Sequence, residues 1–331
     1  MPVAGLVLAG CAVTTASAPQ PDAMGRPALD PLITLSVVAC QPLKWCVAAG
    51  TNPTSSVVGS ASIEISAGGH LGWGRVAAPP LDQATLTAAS CWASGCLLGG
   101  SDASGSVLEI VNPTKRVASI ESATLPGSGV AALSCPSAGR CVALVTTSTD
   151  TAVFESTTSG SNWTELSTLP AALSTATALS CPTRRLCVAV GTGPTGAEAA
   201  RSTDGGRRWS LAARPKGLAT FSSASCGPSW CMATARQRSG ATELLQSRNR
   251  GRSWSHAATL IERPVAVACV NATTCIVVGG ANGGAIESVT RPDVASRLTI
   301  EYIPDPMVAV ACASPTRCAG ITELSTVSIA P

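Results

Sequence analysis

The stretch that decides the fold runs Ala178-Leu179-Ser180-Cys181-Pro182-Thr183-Arg184-Arg185-Leu186-Cys187-Val188-Ala189-Val190-Gly191. Two apolar runs enclose a polar tip, and a cysteine stands at each edge of that tip. The pattern reads as a β-hairpin. The near-continuous apolar character of both runs is that of strands buried on both faces. The arrangement recurs along the chain at Cys40/Cys46, Cys91/Cys96, Cys135/Cys141, Cys181/Cys187, Cys226/Cys231, Cys269/Cys275 and Cys312/Cys318. From one pair to the next, the first cysteines lie 51, 44, 46, 45, 43 and 43 residues apart. The flanks repeat as well: Ser36-Val37-Val38-Ala39 precedes the first pair, and Ile276-Val277-Val278-Gly279 follows the sixth. A period near 45 residues over most of a chain signals an array, and its length suits a four-stranded propeller blade.

Composition agrees. Hydrophobic residues make up 45% of the 331 and aromatic ones only 3%, so the core must be aliphatic. The 31 Gly and 23 Pro punctuate the chain too often for long helices. A net charge of +3 supplies no basic stripe for nucleic acid.

A second signature follows the hairpins. Ser202-Thr203-Asp204-Gly205-Gly206-Arg207-Arg208-Trp209 fits the pattern S-x-D-x-G-x-x-W. Ser247, Asn249, Gly251 and Trp254 repeat it with Asn for Asp, and Ser156, Gly160 and Trp163 keep three of its positions. Trp163, Trp209 and Trp254 stand 22, 22 and 23 residues after the second cysteine of their units, and residues 66–73 read as a worn copy. These residues resemble the Asp-box, or BNR, repeat of sialidase-like and photosystem-assembly-factor-like propellers. In physical terms, a turn between third and fourth strands needs a positive-φ position, which Gly supplies. Ser and Asp satisfy turn backbone groups beyond the reach of a strand, and Trp covers the turn.

The expected fold is therefore all-β: a seven-bladed propeller over residues 26–331, with one short-range disulfide per blade. The last unit has room for only two strands after Cys318, so residues 27–35 are expected to pair beside the chain's last strand and close the ring. Local disulfides at all fourteen cysteines fit one shared hairpin context, each worth about 2 kcal/mol in the chain-entropy model. Zinc is the alternative. It wants four ligands brought together, whereas the pairs sit in separate units and only His70 and His256 exist. No metal or other cofactor is expected. Trp45, Trp92 and Trp230, inside the cysteine hairpins, read as packing over the disulfide or the neighbouring blade.

Leu6-Val7-Leu8-Ala9-Gly10-Cys11 resembles a bacterial lipoprotein signal. It implies a short, truncated-looking signal peptide at 1–10, lipidation of Cys11 and a tether over 11–25. Cys11 is also the one cysteine outside the pairs. No Lys or Arg precedes the apolar stretch, so a plain signal peptide stands as the alternative. Oxidised cysteines suit an extracytoplasmic address, membrane-anchored or secreted. The Ala/Gly/Arg-rich composition suggests a high-GC bacterium.

The sialidase resemblance implies three arginines, a Tyr activated by a Glu, and an Asp acid/base. The single tyrosine, Tyr302, adjoins Glu301, and Arg26-Pro27 matches only the tail of an early Arg motif. No arginine triad assembles, so Tyr302 and Glu301 are the catalytic candidates of the alternative reading, a sialidase-type glycoside hydrolase. On the face where propellers usually gather functional groups, the loops 50–59, 99–106, 191–197 and 279–284 are short. Asp102, Asp150, Arg214, Lys216, Arg236, Arg238 and Arg263 are scattered there and read as solvated surface. The favoured expectation is a monomeric, non-catalytic binding or scaffold module for an envelope protein or carbohydrate.

Overall fold

The structure is a computed structural model. It describes residues 14–15, 34–41, 45–52, 60–67, 73–76, 84–112, 119–123, 125–281, 283–290, 300–303, 305–314, 317–322 and 326–329. Among these every regular element is a strand.

Strand β1 is Thr14–Thr15. Blade 1 joins β2 (Thr34–Cys40), β3 (Trp45–Asn52), β4 (Ser60–Ala67) and β5 (Trp73–Val76). Blade 2 joins β6 (Thr85–Trp92), β7 (Gly95–Asp102), β8 (Gly105–Asn112) and β9 (Ser119–Ala123). Blade 3 joins β10 (Gly129–Ser137), β11 (Arg140–Thr146), β12 (Thr151–Ser156) and β13 (Thr164–Thr168). Blade 4 joins β14 (Thr175–Ser180), β15 (Cys187–Gly193), β16 (Gly196–Ser202) and β17 (Ser210–Leu211). Blade 5 joins β18 (Leu218–Cys226), β19 (Cys231–Gln237), β20 (Thr242–Ser247) and β21 (Ser255–His256). Blade 6 joins β22 (Pro264–Cys269), β23 (Thr274–Gly279), β24 (Gly284–Thr290) and β25 (Ile300–Ile303). Blade 7 runs β26 (Met307–Ser314), β27 (Arg317–Thr322), β28 (Thr326–Ile329) and then β1.

First strands meet first strands around a ring, and β26 of blade 7 lies against β2 of blade 1. One aliphatic cluster fills the gap between each blade and the next. Leu97, Leu108, Val130 and Phe154 lie between blades 2 and 3; Val142, Val153, Leu179 and Ala189 lie between blades 3 and 4. Trp92 and Trp230 are buried in two of these gaps. The side chain of Trp45 lies outside the described residues.

All seven hairpin disulfides are present, with Cα–Cα separations from 3.8 to 4.1 Å. The picture of seven equivalent copies, however, is overturned on three points. First, the bridge is not built alike throughout. In five blades the two cysteines are direct cross-strand partners: Cys40↔Cys46, Cys91↔Cys96, Cys226↔Cys231, Cys269↔Cys275 and Cys312↔Cys318. In the other two they are not. A register shift between Ser134 and Ser137 displaces Cys135, and β14 ends at Ser180, before Cys181. Second, the cysteines do not simply edge a polar tip. Cys96, Cys141, Cys187, Cys231 and Cys275 have no exposed surface at all. Each belongs to an aliphatic cluster between blades, because it stands on a second strand that neighbouring blades cover. These five are core residues as well as staples, whereas Cys46 and Cys318 keep a little surface, at 9% and 5%. Third, blade 7 is a composite of both chain ends, and its closing strand is Thr14–Thr15, paired with Ser328 and Val327. Of the stretch 27–35 expected in that place, residues 27–33 lie outside the described residues, and Thr34 and Leu35 belong to β2, which pairs with β3.

Every first strand carries a bulge four residues before its cysteine, at Ser36, Thr87, Ala131, Thr177, Ser222, Val265 and Val308. A bulge bends the strand and raises its twist, which suits the innermost position of a blade. It also brings the second strand close. A Cβ at Gly191 would collide with the carbonyl oxygen of Thr175. The bulge hydroxyls reach the next blade: Ser36 Oγ donates to Leu86 O (2.6 Å), Thr87 Oγ1 to Val130 O (3.1 Å) and Thr177 Oγ1 to Phe221 O (2.9 Å). The serine before a cysteine makes a second link. The N–H groups of Cys135, Cys181, Cys226 and Cys269 donate to the hydroxyls of Ser90, Ser134, Ser180 and Ser225, each at 2.9 Å.

Candidate functional site: the two faces of the ring

The connections between first and second strands and between third and fourth strands open on one face. The cysteine hairpins and the S-x-D-x-G-x-x-W turns therefore lie together. In blade 4, Ser202 Oγ accepts the N–H of Gly206 (2.8 Å) and donates to Asp204 Oδ1 (2.9 Å). Asp204 Oδ1 accepts the N–H of Arg208 (2.9 Å), and Oδ2 accepts Arg208 Nε (2.8 Å). Trp209 Nε1 donates to Gly206 O (3.0 Å). Burial pushes the Asp204 carboxyl up, but the Arg208 and Ser202 hydrogen bonds outweigh it and hold the group down at about 2.

Blades 3 and 5 repeat this backbone. Ser156 Oγ accepts Gly160 N–H (2.9 Å), and Thr158 Oγ1 takes the place of the Asp oxygen, accepting Asn162 N–H (2.8 Å). Ser247 Oγ accepts Gly251 N–H (2.9 Å), and Asn249 Oδ1 accepts Ser253 N–H (2.9 Å). Each turn docks on the preceding blade. Gly160 faces Leu97, Gly206 faces Val153 and Gly251 faces Val188. Trp163, Trp209 and Trp254 pack into the gaps between blades 2 and 3, 3 and 4, and 4 and 5. Ser66 pairs with Trp73 in blade 1, while residues 68–72 lie outside the described residues.

Sequence reasoning missed Arg140, which is 7% exposed at the tip of the blade 3 hairpin. Its Nε donates to Glu155 Oε1 (2.5 Å), Nη1 to Arg184 O (2.7 Å) and Nη2 to Gly205 O (2.7 Å). One guanidinium thus ties blade 3 to both turns of blade 4, and Glu155 also accepts Arg207 Nη2 (3.3 Å). Its only sequence signal was a lone Arg beside Cys141, and nothing local names carbonyl partners 44 and 65 residues away. Glu287 was missed too. It is fully buried in blade 6, where it accepts Thr259 Oγ1 (2.6 Å) and Leu260 N–H (3.2 Å) from the incoming connection.

On the opposite face the scattered charges are mostly absorbed by turns. Asp102 accepts Ser104 Oγ (2.7 Å) and the N–H groups of Ser104 and Gly105. Those bonds, the hydroxyl's foremost, lower its carboxyl below the ordinary value. Asp150 Oδ1 accepts Thr147 Oγ1 (2.9 Å). Arg214 pairs with Glu198, and Arg238 Nη2 donates to Thr195 O (2.6 Å). Lys216, Arg236 and Arg263 keep side chains without such a partner among the described residues. Tyr302 and Glu301 lie on β25, the outer strand of blade 6, paired with Ala285 and Ile286. Cys11 and Arg26 lie outside the described residues. Among the described residues no three His, Cys, Asp or Glu side chains gather as a metal site.

No protein-family model matches the chain, and no curated protein sequence matches it. Solved structures do. The chain is similar to YCF48 bound to a D1 peptide, at 11% identity over 98% of each chain with a TM-score of 0.66. It is similar to U3-55K, at 12% identity over 90% of this chain and 96% of that one, with a TM-score of 0.67. The fold is a β-propeller. A GH74 xyloglucanase from Xanthomonas campestris shares it at 15% identity and a TM-score of 0.57, over 82% of this chain and 47% of the enzyme. At such identities the likeness speaks for the propeller alone. The seven disulfides in turn mark an oxidising, extracytoplasmic setting.

Proposed function

We propose that this propeller is a non-catalytic binding or scaffold module of the cell envelope, held to the membrane by lipid at Cys11, and that it recognises an envelope protein or glycan. One observation carries the reading: the recurrent polar side chains are engaged in the frame itself. Ser202, Asp204 and Arg208 close a turn, and Arg140 and Glu155 clamp two blades. Polar groups held this way preorganise a rigid surface and lower the ordering cost of binding. YCF48 bound to a D1 peptide is a propeller of this shape holding a protein segment, which favours a protein ligand here as well. The turns resemble the Asp-box pattern, and their bonds serve blade docking.

The test is cross-linking and capture from envelope extract with the full chain carrying Cys11→Ser, alongside a fluorogenic sialoside assay. A specific envelope partner and no turnover are expected. Turnover abolished by Tyr302→Phe would replace this reading with glycoside hydrolysis.

A further inference from the structure

Charge is unevenly placed around the ring. Residues 129–256, the span of blades 3 to 5, hold 13 Lys and Arg against 6 Asp and Glu, a surplus of seven, while the whole chain carries only +3. Much of that surplus faces one way. Arg184 and Arg185 occupy the hairpin tip of blade 4, Arg207 and Arg208 its outer turn, and Arg248, Arg250 and Arg252 the outer turn of blade 5, all exposed. The hairpin tips of blades 2 and 6 carry Ala93-Ser94 and Asn271-Ala272-Thr273 instead. Lys115-Arg116 and Arg291 fall between the third and fourth strands of blades 2 and 6, outside the described residues; among the described residues the exposed cations of this face form a track across two adjacent blades. Asp204 and Glu155 offset part of it, through Arg208 and Arg207, whose side chains remain 89% and 58% exposed. Glu165 is the other exposed acid nearby, at the start of β13.

The turn sets a left-handed backbone at the residue before its glycine: Ser159 has φ 57° in blade 3, Gly205 φ 80° in blade 4 and Arg250 φ 61° in blade 5. A side chain there is strained, and glycine would relieve it, so Arg250→Gly removes the cation without cost to the turn. All seven cations are arginines, whose planar fork matches paired anionic oxygens. The described residues with large exposed apolar side chains are Leu211 and Leu260, both outside these turns. A protein interface buries an apolar core, and a neutral sugar wants an aromatic platform. Among the described residues this face offers no large exposed apolar side chain, and its half-buried Trp163 and Trp209 donate Nε1–H to their own turns at Gly160 O and Gly206 O. In an oxidising compartment outside the cytoplasm, the polyanion that suits a bare arginine track is a polysaccharide.

We propose that the arginine track of blades 4 and 5 binds a linear anionic polysaccharide through its carboxylate or phosphate groups. This rests on the reading of the chain as a binding module and names the ligand class of one face.

The test is titration of the full chain with polygalacturonate and with a phosphate-bearing polysaccharide, a phosphomannan. Neutral dextran, poly-glutamate and phosphatidylglycerol vesicles are the other arms. Binding to at least one anionic polysaccharide is expected, weakening at least about tenfold between about 50 and about 200 mM salt. Combined Arg248→Gln, Arg250→Gly and Arg252→Gln should weaken it about tenfold, whereas Lys216→Gln on the opposite face should not. Arg250→Gly alone should weaken binding while leaving Tm equal or higher, a split that a purely structural role would not give. The proposal is overturned if the triple variant binds as the parent does. It is equally overturned if poly-glutamate or vesicles bind more tightly than the polysaccharides at equal charge, or if no polysaccharide binds. Any of these outcomes leaves a partner captured from envelope extract standing, so the two readings fail separately.

Discussion

The outer turns of blades 4 and 5 share one backbone and differ in charge. Both hang on a serine hydroxyl that accepts a glycine N–H four residues on, at 2.8 Å in blade 4 and 2.9 Å in blade 5. Both use an Asx oxygen to accept the next free N–H. Around this frame almost everything changes. Blade 4 has Asp204 paired with Arg208, Gly205 at the left-handed position, and Arg140 gripping its Gly205 carbonyl. Blade 5 has neutral Asn249 and left-handed Arg250. Its Trp254 turns inward, with its ring centroid 5.8 Å from that of Phe221. Trp209 Nε1 donates to its own turn, whereas Trp254 Nε1 has no partner among the described residues. The lesson is that the turn needs a hydroxyl, a side-chain oxygen two residues on as acceptor and two successive positive-φ residues, while the charge it carries is free to vary.

The comparison can be broken most severely at Arg140. Arg140→Met removes the clamp from the blade 4 turn alone and leaves Glu155 without its buried partner. A loss of about 3 kcal/mol in denaturant unfolding is expected. Next come the serines. Ser202→Ala and Ser247→Ala should each cost about 1–2 kcal/mol, and by similar amounts, because the hydroxyl answers the same buried glycine N–H in both turns. A cost confined to Ser202→Ala would show that the frame is not shared. The smallest effect separates Asp from Asn. The Asp204 carboxyl lies below its unfolded value of 3.8, at about 2. Its contribution is therefore complete above about pH 4 and lost as the pH falls through about 2. Thermal melts of Asp204→Asn should show a shallower decline across that window than the parent, and Asn249→Asp a steeper one.

Much of this was legible in the cysteines. Their spacing placed each hairpin, and seven local bridges followed from pairs only five or six residues apart. That Cys96 and Cys275 would also be sealed into the core was not legible, since the residues that cover them belong partly to other blades. The turn serines and tryptophans were legible too, since Ser156, Ser202 and Ser247 act within four residues of themselves. What escaped notice acts over distance. The closing strand is two residues long and lies in a stretch that reads as a tether. The serine-to-cysteine links span 44 to 47 residues, and no pattern inside one repeat reveals that Ser134 serves Cys181. The bulges at Ser36, Ala131 and Val265 share a place but no residue type, because a bulge is a property of two paired strands.

The sequence by itself determined the unit: an aliphatic hairpin, its covalent staple and a serine-held turn, each made by residues close along the chain. Only the tertiary structure decided how the units meet. Which strand closes the last blade, which carbonyls Arg140 reaches and which arginines share a face all depend on groups dozens of residues apart. Their proximity is settled by packing around the ring.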